Sequence, residues 1–174
     1  MTAVDTSVAP QQRQRLLGIY LNDHLAGATG GVELINRLAA KFSDRSARPQ
    51  LGRLAAEISQ DRQTLLAIMA AAGVQPQRVR VMAGWAAEKL GRTKLNGYLL
   101  HRSPLSDVIE LETMLVGIGG KVAVWSSLAT LSARDHRFDG DQLQELITRA
   151  HRQEAELEAL RTDAVIRAMG VVDK

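Results

Sequence analysis

Four long stretches of the chain place an apolar residue at alternating steps of three and four. The first stripe runs Leu17, Leu21, His24, Ala28, Gly31, Ile35, Leu38, Phe42, and the second Leu51, Leu54, Ile58, Asp61, Leu65, Ile68, Ala72. The last reads Leu143, Ile147, Ala150, Glu154, Leu157, Arg161, Ala164, Ala168. Such spacing keeps one face of an α-helix against its neighbours, so the pattern predicts an all-α helical bundle. Polar residues interrupt the stripes, and a buried charge needs a partner or a ligand.

Punctuation between the stripes sets the elements. Residues 1–10 read as a loose tail of small and polar residues, and residues 11–174 as one domain. Helix 1 is expected over residues 11–42, a polar turn over 43–46, and helix 2 over 47–72. Pro49 is tolerated in the first turn of that helix and Gly73 closes it in a left-handed cap. Ser103-Pro104 opens helix 3, which ends near Ser132. Asp139, three residues before Gln142, opens helix 4, which runs to Met169.

The segment 74–103 is a long crossover. Val79, Met82, Trp85, Ala86 and Leu90 have helical spacing before Gly91, and Tyr98-Leu99-Leu100 adds apolar anchors expected to pack on the bundle. Helices 1 and 2, and helices 3 and 4, have short links and must form antiparallel hairpins. Helix 2 is about 36 Å long, and the crossover is long enough to return along it. Helices 2 and 3 are then parallel, in up-down-down-up order.

Composition narrows the chemistry. The chain has no cysteine, so disulfides, thiolate metal sites and cysteine nucleophiles are excluded. The longest apolar run, near Leu65–Val74, is too short for a bilayer, and the first residues lack a signal-peptide pattern. The expectation is a cytoplasmic protein without a transmembrane segment. Net charge is only +3, yet Arg78, Arg80, Lys89, Arg92, Lys94 and Arg102 face the single acid Glu88 within the crossover. This basic patch suits an anionic partner, either nucleic acid or a membrane surface; the alternative is a solvated connector. Aromatic residues are too few for a base-stacking surface.

Counting residues along the expected bundle sorts the polar stripe residues into layers. Glu112 and Arg161 share a height and make a structural ion pair that fixes helix register. Asp61 and Glu154 share the next, with His24 about one turn away and His151 beyond it. Two neighbouring carboxylates require a proton, a cation or a base. One reading is a His24 bridge to an acid in the core. The other is a metal site of His24, Asp61, Glu154 and His151, a donor set suited to iron, manganese or zinc. The glycines in Ala26–Gly31 and Gly117–Gly120 suggest close approach of helix backbones, or a small cavity. Asp23, Glu33, Glu110 and Lys121 are expected to face outward.

Topology and inward polar residues together resemble the ferritin-like superfamily over Gln11–Met169, including its small bacterial stress-associated members without assigned chemistry. Members that hold two metals carry a Glu on each of two helices and Glu-x-x-His on the other two. Here Glu57-Ile58-Ser59-Gln60 has Gln in the His position, His151-Arg152-Gln153-Glu154 runs in reverse, and Glu112 is followed by Leu115. The leading expectation is therefore a non-catalytic bundle without a cofactor, acting through a protein partner or as a homodimer. The alternatives are an iron or manganese protein, including an oxidoreductase, built on the His/carboxylate set, and an anionic-partner binder using the basic crossover.

Overall fold

The structure, a computed structural model, describes residues 9–77 and 103–170. Among these the chain is all-helical: α1 (Pro10–Lys41), a short 3-10 turn (Arg45–Ala47), α2 (Arg48–Ala71), α3 (Pro104–Ser132) and α4 (Gly140–Met169). Each end has a local cause. Phe42 leaves helical geometry with ψ 136°, and its carbonyl accepts from Arg48 Nε at 2.9 Å and Nη2 at 2.8 Å. The freed end of α1 is thus satisfied by the first residue of α2.

Gly73 has φ +69°, and Val74 N donates back to Met69 O at 2.8 Å, which makes the left-handed cap that the glycine predicts. The Ala72 carbonyl at this end accepts from Gln14 Nε2 at 2.8 Å and Arg137 Nη1 at 2.9 Å. Ser103 caps α3 through Leu105 N at 3.3 Å, with Pro104 in the first turn. Asp139 caps α4, accepting from Asp141 N at 3.0 Å and Gln142 N at 3.1 Å.

Side-chain pairs give the helix directions. Tyr20 meets Ser127 and Arg37 meets Glu110, so α1 and α3 run in opposite senses. Asp61 meets Arg149 and Glu57 meets Arg152, so α2 and α4 do too. The backbones of α1 and α2, of α3 and α4, and of α1 and α3 approach closely. Between α2 and α4 long polar side chains join in pairs, and apolar residues of both helices share the two core clusters.

The core is two apolar clusters stacked along the bundle. One gathers Ile35, Leu38, Phe42, Leu51, Leu54, Leu111, Met114, Ile118, Leu157 and Leu160. The other gathers Leu21, Leu65, Met69, Trp125, Leu128, Phe138, Leu143 and Leu146. The predicted stripe of α2 is buried throughout, Asp61 included. The α4 stripe needs correction: the buried series is Leu143, Leu146, Ala150, Gln153, Leu157, Leu160, Ala164. Ile147, Glu154 and Arg161 lie one residue off it, because the steps from Leu143, Ala150 and Leu157 are three rather than four, while Leu143, Ala150, Leu157 and Ala164 stay on the stripe. Two residues expected outside are also inward: Glu110 is buried beside Arg37 Nε at 3.2 Å, and Lys121 continues the buried series Met114, Ile118, Trp125.

Helix α3 also differs from expectation in its hydropathy. Leu105–Ser132 is long and apolar enough to cross a membrane by length and composition, with mean hydropathy 1.4. Here it supplies Leu111, Met114, Ile118, Trp125 and Leu128 to the two clusters.

Candidate functional site: a buried ion network

Between the two apolar clusters lies one polar layer, at the same stripe step on three helices. Asp61 comes from α2, between Ile58 and Leu65; Lys121 from α3, between Ile118 and Trp125; and Gln153 from α4, between Ala150 and Leu157. Asp61 is only 3% exposed and Gln153 fully buried.

The members of the layer are joined by hydrogen bonds, with the buried Arg149 Nε left without a partner among the described residues. Lys121 Nζ donates to Asp61 Oδ2 at 2.6 Å and also to Gln153 Oε1. Arg149 Nη2 donates to the second oxygen, Asp61 Oδ1. Gln153 Nε2 donates to Glu57 Oε2 at 3.0 Å and Asp61 Oδ2 at 3.3 Å. Glu57 is gripped through both oxygens by Arg152 Nη2, at 3.0 and 2.9 Å, and Arg152 Nη1 reaches Glu156 Oε1 at 2.9 Å. A chain of ions therefore runs from the buried Asp61–Lys121 contact outward to the α2/α4 surface.

The electrostatics follow from depth. Burial lowers the Lys121 ammonium below its ordinary pKa, and the Asp61 charge and hydrogen bond oppose the shift. For Glu57 burial acts upward but is outweighed by hydrogen bonds from Gln153 and Arg152, so its pKa falls below the ordinary value. A charged ammonium beside two acceptors and a carboxylate beside two cations is a self-neutralised set. It locks three helices in register.

The four residues expected to share a metal are dispersed. His24 is half-buried on α1, its ring edge-on to Tyr20 with centroids 4.5 Å apart, and burial lowers its pKa against the pull of Asp23. Tyr20 Oη in turn donates to Ser127 Oγ at 2.9 Å. His151 and Glu154 meet at 3.2 Å, but on the surface, 57% and 46% exposed. Asp61 is in the ion network. Among the described residues no three His, Asp or Glu side chains are grouped to hold a cation. On α4 the register turns Gln153, not Glu154, into the core, and on α1 His24 stands beside Tyr20 instead.

The expected ion pair of Glu112 and Arg161 exists only as a 3.9 Å surface contact, and the closer partner of Arg161 is Glu158 on its own helix, at 2.6 Å. The basic patch of Arg78, Arg80, Lys89, Arg92, Lys94 and Arg102 lies outside the described residues. Lys121, Arg149 and Gln153 were missed as partners of Asp61. Continuing Ile118 by three and Ala150 by three would have found two of them.

Of the two expectations for the glycine clusters, close approach of the described helices is not what they serve. A Cβ built on Gly27, Gly30, Gly31, Gly117, Gly119 or Gly120 meets no atom within 4 Å among the described residues. The described helices therefore do not need these glycines for close packing, although each costs about 1 kcal/mol relative to alanine. Among the described residues a shallow, open depression of about 550 Å³ lies over Asp141, Gln144, Glu145, Thr148, Arg149 and Arg152 on α4, and a smaller hollow, about 160 Å³, opens between Thr64, Ile68, Arg137, Phe138 and Leu143. The smaller is below the several hundred Å³ of a usual small-molecule site, and the larger is an open surface depression rather than an enclosed cleft. Compared with known proteins, the chain matches no family model, no curated protein and no solved structure.

Proposed function

We propose that the protein is a non-catalytic helical bundle of ferritin-like topology that acts by binding a protein partner, a second copy of itself included. The reading rests on the state of the Asp61 layer. In di-metal bundles of this topology the inward carboxylates need a cation from solution; here both oxygens of Asp61 are met by Lys121 and Arg149, cations of the chain itself. Such an arrangement serves helix register rather than turnover. The topology is supported by the opposite senses of α1 against α3 and of α2 against α4. With two short hairpins, these senses make α2 and α3 parallel, in up-down-down-up order.

Purified protein loaded with iron(II) and manganese(II), desalted and submitted to elemental analysis, should carry no stoichiometric metal. Metal retained by the wild type and lost in Asp61→Ala would overturn the non-catalytic reading. Sedimentation equilibrium over a wide concentration range tests the association: the expected result is a dimer, or a monomer that captures one defined protein in stoichiometric amount.

A further inference from the structure

One end of the bundle carries an exposed apolar surface set among positive charges. Tyr20 Oη on α1 meets Ser127 Oγ on α3, and one turn further out on each of these antiparallel helices Leu16 comes level with Leu131. Leu16, Ile19 and Leu131 are 53%, 48% and 43% exposed, well outside the core. A further step brings Arg13 level with Arg134, and Arg15 stands one turn before Ile19 on the same face of α1. No Asp or Glu occurs from Pro10 to Asn22 on α1 or from Thr113 to Arg134 in and just past α3. The one other charge in these stretches, Lys121, is turned into the core network.

The acids that lie near this end are engaged elsewhere or stand at its edge. Asp135 is gripped through both oxygens by Arg137, Asp139 caps α4, and Asp141 and Glu145 line the depression over α4. Asp23, one turn beyond Ile19, marks the limit of the surface along α1. Arg15 and Arg134 are exposed and make no ion pair among the described residues. Only 28% of the most apolar stretch of α3 is buried, so this helix turns uncharged surface outward up to the same end. The two hollows lie away from it, over α4 and between α2 and α4. The leucines project from the outside of two neighbouring helices.

We propose that the surface of Leu16, Ile19 and Leu131 docks on an anionic lipid bilayer, with the three apolar side chains entering the headgroup layer and Arg15 and Arg134 reaching lipid phosphates. A protein partner would have to cover projecting side chains with a groove of its own and set acids in register with the two arginines. A fluid headgroup layer offers negative charge at every position and closes around whatever projects into it. Long arginine stems keep the guanidinium groups among the phosphates while the apolar tips go deeper. Few apolar side chains take part, so the contact is peripheral, reversible and weakened by salt. The surface is separate from the Asp61 layer, and the proposal goes beyond the function given above without depending on it.

Co-sedimentation of the full chain with vesicles at low ionic strength is the test. Vesicles of phosphatidylcholine with about one lipid in three replaced by phosphatidylglycerol should bind the protein, and pure phosphatidylcholine should not. Arg15→Gln with Arg134→Gln should weaken partitioning roughly twentyfold, at about fivefold for each arginine, while Arg15→Lys with Arg134→Lys should keep it. Leu16→Ser with Leu131→Ser should weaken it about tenfold or more. Because the chain has no cysteine, Leu131→Cys accepts a single environment-sensitive dye. Its emission should move to the blue on the anionic vesicles, and the same dye on Thr162→Cys, exposed toward the other end of the bundle, should not respond. No binding to the anionic vesicles, equal binding by the glutamine variant, or a dye response at position 162 and not at 131 would overturn the proposal. So would arginine-dependent binding to polyglutamate without binding to vesicles, which assigns the surface to an acidic protein.

Discussion

Lys121 on α3 reaches across the core to Asp61 on α2, with 2.6 Å between Nζ and Oδ2, and joins helices whose backbones are not close neighbours. The contact is the centre of the fold's polar layer. It is held from one side by Arg149 and from the other by Gln153. A charge at this depth is tolerated only in company, so the members of the layer are strongly coupled.

Removing one member should therefore cost more than removing two. Asp61→Ala leaves the Lys121 ammonium buried without its counter-ion and should lose about 3–5 kcal/mol of unfolding free energy. The double change Asp61→Leu with Lys121→Met removes both charges at similar volume and should recover most of that loss. Urea titrations of the three proteins, combined as a double-mutant cycle, give the coupling. Additive losses would contradict the network.

The register of α4 makes a paired prediction. Gln153→Ala breaks bonds to Lys121, Glu57 and Asp61 and should cost about 1–3 kcal/mol. Glu154→Ala loses a surface contact with His151 and should change stability by less than about 0.5 kcal/mol. Thermal melts separate the two, and a reversed ranking would restore the register that the sequence pattern first suggests.

Acid should weaken the fold partly through His24. Burial holds its folded pKa below 6.5 against the pull of Asp23, so the unfolded chain binds the proton first as pH falls. Stability from this source is complete above about 6.5, declines as pH drops toward the folded value, and levels off beneath it. His24→Phe, which keeps a ring beside Tyr20, should flatten that part of the stability profile. A histidine titration followed by NMR that gave a value above 6.5 would be decisive against it.

Gly73→Ala puts a side chain on a backbone at φ +69° and should cost about 1 kcal/mol. Asp139→Ala removes the acceptor for two amides at the start of α4 and should cost a similar amount, about 1 kcal/mol. Both are read by chemical denaturation, with Asp163→Ala on the exposed face of α4 as the neutral comparison.

The helices and their ends were legible because their causes are local: Gly73, Ser103-Pro104 and Asp139 each act within one turn of themselves. The α2 stripe was legible because leucine and isoleucine occupy it without competition. On α4 the signal was ambiguous. Leu146 and Ile147, Gln153 and Glu154, and Leu160 and Arg161 are neighbours, and composition does not say which member of each pair turns inward. One residue of helix is about 100° of rotation, enough to exchange a buried amide for an exposed carboxylate. The metal set of His24, Asp61, Glu154 and His151 depended on that choice, and so did the core role of Arg161. Lys121 was hidden differently: a lone lysine in an apolar helix reads as solvent-facing until the acid that receives it is known.

The polar layer also divides the molecule thermodynamically. Apolar packing couples side chains over a continuous contact surface, and here that surface is interrupted between Ile58 and Leu65 on α2 and between Ile118 and Val124 on α3. Each half then has its own opening free energy. Native-state hydrogen exchange should resolve two sets of amides, one around Leu38, Leu54 and Leu111 and one around Leu21, Met69 and Leu128. Titrating Lys121 or replacing Asp61 should draw the two sets apart, because the ion network is the clasp that makes two small oil droplets melt as one.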